Sequence, residues 1–138
     1  MTKATYEIDG SRFSTLDEFL AEIERVLIPG AEWGRSLDAF NDILRGGFGT
    51  PDGGFVLRWR NADLSRERLG YPETIRYLQR QTRPWSLGRR RGRQELKRQL
   101  EFAERGEGAT VFDWLVEIIR RHGADGEEEE DGVELILA

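Results

Sequence analysis

Glu32-Trp33-Gly34-Arg35-Ser36-Leu37-Asp38-Ala39-Phe40-Asn41-Asp42-Ile43-Leu44-Arg45-Gly46-Gly47 is the stretch on which the reading of this chain turns. It describes a short loop that delivers an aromatic and a glycine into a capped helix of about two turns. Ser36 is a good N-cap, and Asp38 falls in the first turn, where the helix dipole favours a carboxylate. Leu37, Phe40, Ile43 and Leu44 form one apolar stripe, so this side of the helix faces a core. Asp38, Asn41 and Asp42 stand at i, i+3 and i+4 and share the opposite face. Two like charges at i, i+4 cost a helix roughly 0.2–0.5 kcal/mol, and Asp42 lies too deep in the helix for the dipole to compensate. The pair therefore reads as a small acidic face, flanked by an exposed Trp33 and by glycines, shaped to meet something cationic.

Working outward, Thr5-Tyr6-Glu7-Ile8-Asp9 is a short strand ended by Gly10-Ser11. Ser14-x-x-Asp17 resembles a capping box and opens an amphipathic helix bearing Leu16, Phe19, Leu20, Ile23, Val26 and Leu27, stopped by Pro29-Gly30. After the acidic-face helix, the glycine-rich run 46–54 leads into the strand Phe55-Val56-Leu57-Arg58-Trp59. Phosphate-binding glycine loops run from a strand into a helix, so these glycines serve a C-cap and a turn instead.

Asn61 or Asp63 caps a short helix to about Leu69, and Pro72-Glu73 starts another to about Gln81 with Ile75 and Leu78 inward. A linker, 83–88, precedes a basic helix from about Gln94 to Arg105, with Leu96, Leu100 and Ala103 at helical spacing. The strongest helix is Thr110 to His122, with Val111, Trp114, Leu115, Ile118 and Ile119 as its stripe. His122 reads as a helix-end residue favoured by the dipole, with Gly123 as its C′ residue. The acidic run Glu127 to Asp131 reads as a solvated connection to a last apolar strand, Val133 to Leu137, suited to a covered sheet. Strands separated by helices pair in parallel through right-handed crossovers. The expected fold is α/β: one domain over 1–138, a small three-stranded parallel sheet with helices packed against it.

Composition narrows the function. With 138 residues, 38% hydrophobic and 34% charged, the chain is long enough for a core and holds no apolar run of membrane-spanning length. Residues 1–10 show no apolar leader core. The absence of cysteine excludes disulfides and thiol chemistry and is compatible with the cytoplasm. A single histidine, His122, excludes most catalytic triads and His-rich metal sites. The net charge of −5 is uneven: residues 75–105 hold ten basic and three acidic side chains, while the segments on either side are acidic.

Trp33-Gly34-x-Ser36-Leu37-Asp38-Ala39-Phe40-x-Asp42-x-Leu44 resembles the barstar family, whose hallmark is aromatic-Gly-x-Asn-Leu-Asp-Ala, then an aromatic or aliphatic residue, then x-Asp-x-Leu. That resemblance implies a small cytoplasmic inhibitor that plugs the active site of a secreted ribonuclease such as barnase. It implies a basic ribonuclease as partner. No catalytic constellation accompanies these residues, so no enzyme activity, cofactor or metal is expected, and the free chain is expected to be a monomer. The resemblance places Asp42 in the enzyme's phosphate site with Asp38 beside it, and makes Trp33, Gly34 and Ser36 contact or contact-shaping residues. Asn41 and Glu32 stand where the best-known members carry a tryptophan and a tyrosine, and Gly47 where they carry a second tryptophan. The resemblance thus names a class of target and leaves its identity open. It covers residues 5–60 and the final helix and strand. Residues of about 61–107 read as an enlarged helical insertion, with Glu107 the nearest candidate for a further acidic contact.

Two other classes compete. Arg89, Arg90, Arg91, Arg93, Lys97 and Arg98 would neutralise phosphates, and Trp85 would stack on a base, so segment 89–98 supports nucleic-acid binding. A sequence pI of about 5.1 and the interleaved Glu95, Glu101 and Glu104 point instead to a salt-bridged surface helix. A hydrolase using Asp38 and Asp42 as an acid/base pair lacks any accompanying nucleophile or ligand set.

Overall fold

The computed structural model describes residues 3–46, 49–51, 53–82, 90–123 and 126–138, without the side chains of Arg90, Arg91, Arg93 and Glu129. Gly47, Trp85 and Arg89 lie outside the described residues, as do the side chains of Arg90, Arg91 and Arg93. Three strands, β1 (Thr5–Asp9), β2 (Val56–Arg60) and β3 (Glu134–Leu137), form one parallel sheet in the order β1-β2-β3. Thr5 lies opposite Val56, and Leu57 opposite Leu135. Between β1 and β2 run α1 (Leu16–Leu27) and α2 (Leu37–Arg45). Between β2 and β3 run α3 (Ala62–Arg68), α4 (Tyr71–Gln81), α5 (Arg90–Glu104) and α6 (Val111–Arg121).

The core follows from the strand alternation. Ile8, Leu57 and Trp59 are buried, while Glu7, Arg58, Arg60 and Ile136 are exposed. The sheet is therefore covered on one face, and β3 is only half buried rather than enclosed on both sides. Trp59 is the centre: its ring meets Phe13, Phe19 and Phe112 with centroids 5.2–5.9 Å apart, and its indole N–H donates to Ser65 Oγ at 3.0 Å. Gly10 is required beneath it, since a Cβ there would overlap Ser65 Oγ and the Asn61 carbonyl.

Several helix ends differ from the sequence expectation, each for a local reason. Thr15, not Ser14, caps α1 by accepting from the Glu18 N–H, and Glu18 accepts from Ser14. The longer glutamate reaches back where Asp17 falls short. Glu73, buried in α4, also accepts from the Leu16 N–H at 2.6 Å and pairs with Arg76, so α4 closes the start of α1. Asn61 precedes α3 in a left-handed conformation (φ 55°) with its amide turned to Asp9 instead of capping. That bond, followed by those from Ser11, lowers the Asp9 carboxyl to about 2. Helix α5 begins at Arg90, four residues before the expected Gln94. In α6, Phe112 and Val116 widen the buried stripe, and Thr110 and Asp113 form a reciprocal capping box. Gly123 is not a left-handed C′ residue: a Cβ there would overlap the Val133 carbonyl, so it permits a close crossing.

Candidate functional site

Helix α2 matches its expected frame. Ser36 Oγ accepts from the Ala39 N–H at 3.1 Å, and Gly46 ends the helix at φ 104°. Phe40, Ile43 and Leu44 are buried to within 2% of their surface, Leu37 half so. Asp38 and Asp42 are exposed on the opposite side.

The loop entering α2 is held from a distance. Trp33 is half buried rather than exposed, packed against the core, and its indole N–H donates to Glu24 Oε1 at 2.9 Å. Arg35 occupies the left-handed region (φ 46°), which costs a non-glycine residue energy. Its guanidinium donates to both Glu24 oxygens at 2.8–2.9 Å. One carboxylate on α1 thus fastens both residues that flank Gly34. The hydrogen bond from Arg35, followed by that from Trp33, keeps the Glu24 carboxyl below the ordinary glutamate range. Gly34 is exposed, and a Cβ there would make only an ordinary contact, 3.6 Å from Ala39 Cβ. Glu32 is exposed beside it.

Asn41 departs from its two neighbours. Its Oδ1 lies 2.7 Å from His122 Nε2, so its side chain turns toward the end of α6. His122 is fully buried, with Nδ1 2.7 Å from Asp131 Oδ2 and 3.2 Å from Glu128 Oε2. The solvated acidic connection expected from sequence is therefore corrected: Glu128 and Asp131 are packed against a buried imidazole. Arg45 joins the group, with Nη2 2.5 Å and Nε 3.0 Å from Glu128 Oε1, and only a 3.4 Å contact to Asp42. The hydrogen bond from Arg45 to Glu128 raises the guanidinium pKa. Sequence reasoning placed His122 at the helix end but missed its inward ring; the signal was a lone histidine followed closely by four consecutive glutamates and an aspartate.

His122, Glu128 and Asp131 bring three ligating atoms within 4.8 Å of one another. The 2.7 Å separation of Nδ1 and Oδ2 is a hydrogen-bond distance, and Arg45 already sets a cation on Glu128. The arrangement fits a hydrogen-bonded and ion-paired network better than a metal site.

The basic segment looks different. Lys97 and Arg98 are exposed, and Arg98 lies 3.7 Å from Glu95. Glu107 is exposed in the turn after α5, 3.8 Å from Arg105. A cavity of about 560 Å³ on the α6–β3 side is lined by Arg66, Arg120 and Arg121 but also by Asp113, Glu117 and Glu127, with no net charge. Among the described residues no helix is long and apolar enough to cross a membrane.

Among known protein families, the one described as Barstar (barnase inhibitor) matches residues 3–103, from β1 through nearly all of α5. No curated protein matches the chain.

Proposed function

The chain belongs to the Barstar family, and from that premise we propose that it inhibits a basic, barnase-like ribonuclease by seating α2 in the enzyme's phosphate site. The observation that carries this reading is the division of α2: two exposed carboxylates at i, i+4 stand on a helix whose other face is committed to the core. A ribonuclease holds phosphate with cationic side chains, and a carboxylate in that pocket imitates phosphate oxygens. Asp42 enters deepest and Asp38 lies beside it. Trp33 supplies an apolar wall, Glu32 a rim charge, and Gly34 lets the partner's backbone approach closely. Ser36 and Asn41 hold the face in place. Because the loop and helix are ordered beforehand, binding loses less conformational entropy. The net charge of −5 raises the rate of encounter with a basic enzyme. Such an inhibitor acts as a monomer in the cytoplasm, has no catalytic activity of its own, and uses its basic helix as surface rather than as a nucleic-acid site.

The test is inhibition of barnase by wild type, Asp42→Ala, Asp38→Ala and the exposed control Asp63→Ala, with folding checked by circular dichroism. Asp42→Ala is expected to lose most inhibition, Asp38→Ala less, and the control none. An Asp42→Ala protein that folds normally and inhibits as well as wild type overturns the proposal. Micromolar RNA binding at physiological salt, lost on replacing Lys97 and Arg98, would favour the rival nucleic-acid reading.

A further inference from the structure

We infer that His122 is the positioning residue of the acidic face: its buried ring bridges α2 to the loop before β3, sets the rotation of α2, and packs on Glu128, the main partner of Arg45. The inference rests on the proposed inhibitory role only for its consequence in binding; the bridge itself is a property of the free chain.

Three observations carry it. The first is connectivity. His122 follows α6, its carbonyl accepts from the Val133 N–H at 2.9 Å, and its two ring nitrogens reach in opposite directions, to Asn41 on α2 and to Asp131 and Glu128 on the loop. Asn41 directly precedes Asp42, so the bridge acts beside the carboxylate that matters most. With side chains at about 5–6 Å from the helix axis, a ~20° turn of α2 displaces that carboxylate by ~2 Å.

The second is charge. Arg45 is the one cation within α2, one turn beyond Asp42, where it would meet a cationic partner unfavourably and neutralise Asp42. Glu128 Oε1 takes it up in two short contacts, leaving Asp42 a longer one of 3.4 Å, and Glu128 Oε2 is buried 3.2 Å from His122 Nδ1 with no hydrogen-bond partner among the described residues. Freed from His122, the loop would loosen its hold on Arg45 and strengthen the pairing with Asp42.

The third is the chemistry of the two ends. Groups facing the ring are Asn41 and, through Glu128, Arg45 from α2, with Glu128 and Asp131 from the loop. The carboxylates only accept, so Nδ1 keeps its proton in the neutral and the charged ring alike. Nε2 changes from donor to acceptor when the ring loses its second proton. A carboxamide serves both states by rotating its amide, with oxygen accepting or nitrogen donating. Asn41 therefore meets the ring in either protonation state, whereas a leucine there would leave Nε2 without that partner.

The experiment is amide hydrogen exchange of Phe40 to Arg45 in the free protein, for wild type, His122→Leu, Asn41→Leu and the double variant. His122→Leu should lower protection in α2 by about tenfold while sparing α1, because local opening is separable from global unfolding. Asn41→Leu should lose about as much, and the double variant no more than either single change, because both remove one bridge. Losses that simply add would be packing effects. Unchanged α2 protection in His122→Leu, or additive losses in the double variant, overturns the inference. Inhibition of barnase by the same variants separates the two readings. If the exchange results hold while Asp42→Ala inhibits normally, the inhibitory function fails and the bridge stands. If Asp42→Ala abolishes inhibition while the exchange is unaltered, the reverse is true.

Discussion

Helices α2 and α5 both carry conspicuous charge on an exposed face, and they are anchored in opposite ways. Helix α2 is fastened at its start by the Ser36 cap and by Glu24 gripping Trp33 and Arg35. Along its length Phe40, Ile43 and Leu44 enter the core, and Asn41 and Arg45 tie it to the His122 group. Helix α5 packs mainly on α4; Leu96 and Leu100 are half buried, and Ala103 is its one fully buried side chain among those described. Its charges are also mixed, as the Arg98–Glu95 pair illustrates. Charge density by itself thus marks two candidate faces, while anchoring to the core and to the His122 group distinguishes the one suited to a pre-organised interface.

The contrast can be broken most severely from the core side. Phe40→Ala should cost about 3–5 kcal/mol of stability, whereas Leu96→Ala should cost about 1 kcal/mol, as read from denaturant midpoints. Similar losses for both would mean that α5 is as deeply anchored as α2. Binding comes next: Asp42→Ala should weaken inhibition of barnase by about 2 kcal/mol or more, roughly 30-fold, while Arg98→Ala should stay within about 0.5 kcal/mol of wild type. Equal effects would erase the distinction between the faces. Ser36→Ala should lower stability by about 1 kcal/mol through loss of the cap, measured by the same denaturant titration.

The smallest effect is one of pH and concerns the Glu24 clamp. Glu24 is held below the ordinary value of 4.5, so its contribution is complete above that value and is lost as pH falls through the lowered one. The Trp33 indole N–H resonance should therefore stay constant from neutral pH to about 4.5 and move only below it. A shift already present near pH 6 would place the clamp's control elsewhere.

The acidic face was legible from sequence because every relation defining it spans four residues or fewer. Ser36 and Ala39, Asp38 and Asp42, Phe40 and Ile43 are neighbours on any α-helix, whatever surrounds it. The same is true of the parallel order, which follows once helices separate all three strands. Where the reading slipped locally, two adjacent candidates competed, as at Ser14 and Thr15, and side-chain length decided between them. Trp33 was misjudged because its burial depends on α1, nine residues away through Glu24.

What the sequence by itself determined is therefore the frame of the molecule: which segments are helices and strands, which face of α2 is apolar, and which carboxylates point away from it. Only the tertiary structure decided how that face is held. Asn41 and His122 are 81 residues apart, Arg45 and Glu128 are 83 apart, and Leu16 finds Glu73 at a separation of 57. Helical periodicity assigns a side chain its direction from its own helix alone. The partner of a buried polar group is fixed by desolvation, which requires some donor or acceptor there, and by the packed fold, which brings one particular residue within reach.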